Sequence, residues 1–416
     1  MKQRINAEHI INTFLNYTRF NTTSVPGSPH LPSCENQYLL AKYVVGQFSD
    51  ITSLETNIKD NAITKLTLPA NHPDSPAIVF FAHLDTAPDH VGDTRAIRIN
   101  NYDGGVIILP GSGDKMSPSE HPELLAYTGQ DIITTDGTSL LGADDKAAIA
   151  AGVEALRYMI EHPEFKHGDI SLVLLPDEET GIRGAKALDV SELNASFGIC
   201  LDCCGVGEFV TENWYAGSAV LTFYGVTAHP MSAKGKLVNA LSMAADVIAA
   251  LPAGERPEHT EGREGYYWPH KLTGDTASAL LEIAIRDFDS EGYQSRKKTL
   301  WNIVDNVKQR QVNSSVSVEI SDIYDNVKPV LDKTPLILEN VQQAMRNLGI
   351  EPKPLVMRGG YDGSVITPKG LPTVNIFTGA HNFHSTREFL PVESLRLAGE
   401  MLLEIVELSV GEPRYE

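Results

Sequence analysis

Two histidines and a set of carboxylates, scattered between residues 83 and 384, are of the types that hold catalytic metal. His83 and Asp85 stand in FAHLDT, Asp144 in LLGADDK, Glu178 and Glu179 in PDEETG, Asp202 in CLDCCG and His384 in HNFHS. Imidazole and carboxylate suit zinc, and a carboxylate between two metals can bridge them. Two metals held about 3.5–4 Å apart can clamp a hydrolytic water and the carbonyl it attacks. The set has donors for two zinc ions and leaves one carboxylate to act as general base. The chemistry it points to is hydrolysis.

Taken singly, each stretch has an ordinary alternative. In a strand, side chains at i and i+2 share a face, so His83 and Asp85 project together. Asp85 is then expected to hold the far ring nitrogen of His83 and fix its tautomer; a hydrogen-bonded surface pair would look the same. Asp144 stands at a helix start, where backbone N–H groups favour a carboxylate, as a plain N-cap also would. Its neighbour Asp145 competes for the same role. Asp177, Glu178 and Glu179 repel one another unless a cation is near, although solvated acidic turns are common. Asp202 ends an apolar run, where an unpaired charge is costly and either a metal or a hydrogen bond would resolve it. His384 is a loop histidine.

The elements around these residues place them at one edge. AIVFFAHLD (77–85) and DISLVLLP (169–176) read as strands buried on both faces. ALDVSELNASFGICLD gives a loop and a third strand ending at Asp202. LLGADDKAAIAAGVEALRYMI switches to helical spacing after ADD. Helices are also expected over 6–20, 34–49 and 392–409, and a strand over 61–68. Residues 86–138 read as loops and short strands. Strands alternating with helices predict an α/β central sheet, and the candidate ligands fall just past strand ends, where such sheets bind ligands.

From residue 214 to 323 the pattern changes. Strands are expected over 219–226, 278–289 and 314–323, with VNALSMAADVIAALP and TLWNIVDNVKQRQ as helices. No ligand cluster accompanies them. The reading is an inserted α+β domain, 214–323, within a catalytic domain formed by 1–213 and 324–416. RGGYDGS and FTGAHNFHS are expected as loops at the first domain's sheet edge.

Bulk properties narrow the partners. The chain has 416 residues, is 42% hydrophobic and 21% charged, and carries a net charge of −20. That charge argues against nucleic acid, since nothing would neutralise phosphates. No run approaches the roughly 18 apolar residues of a membrane span. The first twenty residues read as an amphipathic helix and not a signal peptide, and Cys34, Cys200, Cys203 and Cys204 fit a reducing compartment, so a cytoplasmic location is expected.

Taken in order, HLDT, TDGTSLLGADDKA, PDEETG, VTAHPMSAKG, IRDFD, RGGYDG and FTGAHNFH resemble the di-zinc aminopeptidase/carboxypeptidase metallopeptidase family, and within it the tripeptide aminopeptidases. The resemblance runs from about residue 5 to 410 and includes HTEGREGYYW, which has no obvious metal role. It implies a catalytic domain with a mixed sheet flanked by helices, and a lid domain with a four-stranded sheet and two helices. It implies that His83 and Asp202 bind one zinc, Glu179 and His384 the other, and that Asp144 bridges both. Glu178 would be the general base and acid, Asp85 the support of His83, and His229 of TAHP an oxyanion stabiliser. Arg286 and Arg358 would bind peptide, Arg358 gripping the C-terminal carboxylate through its fork of donors, and Asn213 would line the same subsite. Short peptides are the implied partners, and a homodimer is compatible with the family. Dipeptidases, carboxypeptidases and amino-acid deacylases share these ligands; TEGREGYYW and RGGYDG favour the tripeptidase. A zinc-binding protein without activity is the alternative of another class, and the intact base argues against it. The chain departs from the usual pattern at Tyr361, at Cys203 and Cys204, and over His384 to Phe389, without losing a ligand.

Overall fold

The computed structural model describes residues 3–310 and 314–411. The chain divides into two compact units: Met1–Thr211, Val327–Leu355 and Tyr361–Glu416 form the first, and Glu212–Asn326 with Val356–Gly360 the second.

An eight-stranded mixed sheet organises the first unit. Its centre is four parallel neighbours in the order Ile170–Leu175, Ile78–His83, Phe197–Cys203 and Thr373–Phe377. Every residue of Ile78–His83 and Ile170–Leu175 is buried, which explains why both read as unbroken apolar runs. Thr64–Leu68 adds antiparallel beside Ile170–Leu175, and Glu55–Ile58 follows at the edge.

The helix Ala143–Glu161 packs on strand Ile78–His83 and against the helices Ala7–Tyr17 and Val392–Leu408. Gly152 lets the same helix approach the neighbouring strand Ile170–Leu175: a Cβ there would stand 2.6 Å from Leu172 Cδ1. Asp144 and Asp145, joined by a cis peptide, have non-helical dihedrals, so the regular helix begins after them. The four parallel strands all deliver their C-terminal ends to one edge. Just past or at those ends lie His83, Asp177 to Glu179, Asp202 and the segment leading to His384.

The second unit holds a four-stranded antiparallel sheet in the order Tyr266–Gly274, Ser278–Asp287, Tyr215–Tyr224 and Ser315–Tyr324. Helices Ala240–Ala250 and Ser290–Gln309 cover one face, burying Leu221, Phe223, Val247, Leu281, Ile283 and Leu300 among others. The expected mixed α/β sheet and the separate four-stranded sheet with two helices are both present. Gln311, the last residue of the helix expected over 299–311, lies outside the described residues. RGGYDGS is only partly a loop, because Asp362–Ile366 forms a short helix. Among the described residues, no helix is long and apolar enough to cross a membrane.

Candidate active site

In the first unit the sheet edge gathers acids and imidazoles that the chain keeps far apart. His83 ends its strand with the ring buried, and its Nε2 lies 2.9 Å from Asp144 Oδ1. The other oxygen of Asp144 faces a second imidazole: His384 Nε2 is 3.4 Å from Asp144 Oδ2 and 2.9 Å from Glu179 Oε2. Asp144 thus stands between the two histidines with one oxygen toward each. Two donor groups can be drawn, His83 with Asp144 and Asp145, and Asp144 with Glu179 and His384.

Asp85 lies against the far ring nitrogen of His83, as expected, and its carboxylate has a second job. His83 Nδ1 lies 3.1 Å from the main-chain carbonyl of Asp85 and 3.4 Å from its Oδ1. The Asp85 carboxylate also accepts from the N–H of Glu178 (2.9 Å) and of Glu179 (3.1 Å). It clamps the acidic turn while its own carbonyl orients the histidine. Asp177 anchors the same turn from the other side. It is fully buried, has a positive φ of 54°, and accepts from Ser33 N–H and Oγ, Gln37 Nε2 and Arg183 Nη1.

The charges here are held uneasily. Burial, with Asp202, Glu179 and Asp362 nearby, drives Glu178 well above the usual carboxylate range, although His83 works against this. Burial and the charge of Asp144 push Glu179 up to about 7. Asp202 rises well above its ordinary value through burial and the charge of Asp144. For His83, burial opposes the charged form, but Asp145, Asp144 and Asp85 outweigh it and hold the ring well above its ordinary value. Hydrogen bonds to Asp144 and Glu179 push His384 up to about 11. Asp144 is lowered: burial opposes this, but its bonds to His384 and His83 prevail. Three buried carboxylate oxygens here have no hydrogen-bond partner among the described residues: Glu179 Oε1, Asp145 Oδ1 and Asp362 Oδ1. Crowded, partnerless carboxylate oxygens beside two imidazoles are what a divalent cation would satisfy, so this donor set fits a metal centre.

The expected residues differ in how closely they gather. His83, Asp144, Glu179 and His384 come together directly. Asp202 and Glu178 lie within electrostatic reach, but neither belongs to the two close donor groups. Asp202 is held by Asn375, which accepts from its N–H (2.7 Å) and donates to its carbonyl (3.1 Å). Three further acids surround the site: Asp145, which the sequence offers as a competitor of Asp144, and Asp362 and Glu388, to which it assigns no site role. Asp145 accepts from the His83 N–H at 3.0 Å. Asp362 is buried and pushed up to about 7 by burial, although His83 opposes this. Glu388 is buried and accepts from the N–H groups of Gly142 and Asp144. An acid next to the apolar run Phe389-Leu390 was the available signal for Glu388.

The remaining candidates lie in the second unit. Arg358 stacks over Trp214 (5.3 Å) and Tyr266 (5.8 Å) and donates to Thr260 O and Oγ1, each at 3.2 Å. Arg286 donates to the Gly217 and Ile285 carbonyls, both at 2.9 Å, and lies over Tyr324. Trp214, Tyr266 and Phe288 form the aromatic cluster beneath. Asn213 is not a lining group: it is 0% exposed, and its amide donates to the carbonyls of Trp214 and Asp325. His229 is exposed, and its Nδ1 accepts from the Met231 N–H at 3.2 Å.

Residues 137–408 match the model of peptidase family M20/M25/M40. The chain belongs to this family. It is 40% identical over 404 residues to peptidase T of Geobacillus kaustophilus, covering 96% of this chain and 98% of that protein. It is 39% identical over 404 residues to peptidase T of Aliivibrio fischeri, covering 97% and 98%. Among solved structures, aminopeptidase PepT from Bacillus cereus superposes with a TM-score of 0.78 at 25% identity, covering 98% of this chain and 99% of that one. The chain is therefore a peptidase, with a donor set at its sheet edge that can hold metal.

Proposed function

We propose that the protein is a zinc-dependent aminopeptidase that releases the N-terminal residue from tripeptides. One observation carries the metal reading: Asp144 offers one carboxylate oxygen to each of two imidazoles, His83 and His384. A carboxylate so placed would be available to two cations. His83, Asp202 and Asp144 would hold the first zinc, and Glu179, His384 and Asp144 the second. When bound, zinc supplies a Lewis acid for the scissile carbonyl and lowers the pKa of water.

The chain's own groups do the rest. Glu178 takes the proton of the attacking water and returns it to the leaving amine. The Asp85 clamp on its N–H fixes where it stands. His229 donates to the developing oxyanion. Arg358, placed over Trp214 and Tyr266, and Arg286 receive the substrate's C-terminal carboxylate. The tripeptide preference rests on the motif resemblance.

The test is hydrolysis of one tripeptide in free, N-acetylated and C-amidated forms. Cleavage of the free form with release of its N-terminal residue supports the reading. Cleavage of the acetylated form would move the assignment to a carboxypeptidase or deacylase.

A further inference from the structure

Glu388 is 1% exposed and stands four residues after His384. Its Oε2 accepts from the Gly142 N–H at 2.8 Å, and its Oε1 from the Asp144 N–H at 3.0 Å. Both oxygens are therefore committed to the loop that carries Asp144. Its backbone belongs to the segment that carries His384: its N–H donates to Ser385 O at 3.0 Å, and its carbonyl accepts from Thr134 Oγ1 at 3.1 Å. Gly142 has a φ of +75°, a turn that aims its N–H at the same carboxylate as that of Asp144. A Cβ at this position would also meet Thr86 Cγ2 at 3.1 Å and Lys146 Nζ at 3.3 Å. Lys146 is itself buried, and its ammonium donates to Phe20 O at 2.8 Å.

A buried carboxylate is expensive unless its oxygens are satisfied. Charge-assisted bonds to main-chain N–H groups are short and directional, so they fix the backbone they grip. Here they grip the residue that faces both imidazoles. Resting on the metal-centre reading above, we propose that Glu388 is a positioning residue that ties the Asp144 loop to the His384 loop and so sets the spacing of the two cation sites. It need not touch substrate or metal to do this.

The experiment compares wild type with Glu388→Ala and Glu388→Gln. For each, zinc per chain after dialysis, retention of zinc against a chelator, the visible spectrum of the cobalt-loaded protein, and kcat and KM on a free tripeptide are measured. Loss of such a supporting contact typically weakens metal affinity or activity by about 10–100-fold. Glu388→Ala should lose that much in kcat and in chelator resistance, keep KM within about twofold, and shift the cobalt spectrum. Glu388→Gln keeps one acceptor oxygen and should fall between the two. Wild-type kcat and an unshifted spectrum in Glu388→Ala would overturn the proposal, as would a rise in KM at constant kcat. If Glu388→Ala does not fold, Glu388→Gln decides: a spectrum and kcat equal to wild type overturn it. Wild-type protein that takes up no zinc or cobalt would instead defeat the metal-centre reading, a separate outcome.

Discussion

Removing the metal should reverse how stability responds to pH. In the metal-free protein Glu179, Glu388 and Asp362 are pushed up to about 7 from ordinary values of 4.5, 4.5 and 3.8, burial being the first cause in each. A carboxyl whose folded pKa exceeds its unfolded one binds its proton more tightly in the fold. Its stabilisation is complete below the ordinary value and is lost as pH climbs through about 7. His384, pushed up to about 11 by its hydrogen bonds to Asp144 and Glu179, acts in the same direction above 6.5, but it is 46% exposed and solvent screens its contribution. For one buried carboxyl the gap corresponds to roughly 3 kcal/mol, of which about 2 kcal/mol falls between pH 5.5 and 7.5. The three acids share one field, so their effects do not add. With an unfolding entropy of about 2 cal/mol/K per residue over roughly 300 residues, the chelated first unit should melt about 3 °C lower at pH 7.5 than at 5.5. Zinc requires deprotonated ligands and binds only the fold, so the loaded protein should gain stability over the same interval. Calorimetry of chelated and zinc-loaded protein at pH 5.5, 6.5 and 7.5 measures both slopes. A chelated Tm that stays flat or rises with pH would refute the reasoning.

Three further outcomes are expected. Glu178→Ala should lower kcat by about 10²–10⁴-fold while zinc content, read by atomic emission, stays at the wild-type level; retained turnover removes Glu178 from the base role. Arg358→Ala should reduce kcat/KM on a free tripeptide by roughly 10–100-fold, mainly through KM, and should leave the residual rate on the C-amidated peptide unchanged. Asp177→Ala leaves Arg183, Gln37 and the Ser33 N–H without the acceptor they share. It should destabilise the protein by about 3–5 kcal/mol, seen as a lower denaturant midpoint.

The buried parallel strands were legible because both of their faces are apolar, as in Ile78–His83 and Ile170–Leu175. The strand Tyr266–Gly274 was not. It lies at the edge of its sheet with mostly exposed residues, and Pro269 stands at a register irregularity, so neither alternation nor an apolar run marks it. At the site, residue type revealed His83, Asp144, Glu179 and His384 as candidate donors. What sequence could not show was which backbone each acid grips. Asp85 reads as a partner for the histidine two residues away, yet its carboxylate holds N–H groups more than ninety positions along the chain. Glu388 and Asp145 are likewise defined by the main-chain donors they accept from, which no side-chain pattern encodes. Asn213 is a subsite residue only by the family resemblance; in the structure it is buried and its amide donates to main-chain carbonyls.

The most direct test of the central claim is a titration of chelated protein with zinc, following tripeptide hydrolysis and bound zinc per chain together. The account predicts no turnover at zero zinc and full turnover at two zinc per chain. Undiminished hydrolysis by the chelated protein would contradict it.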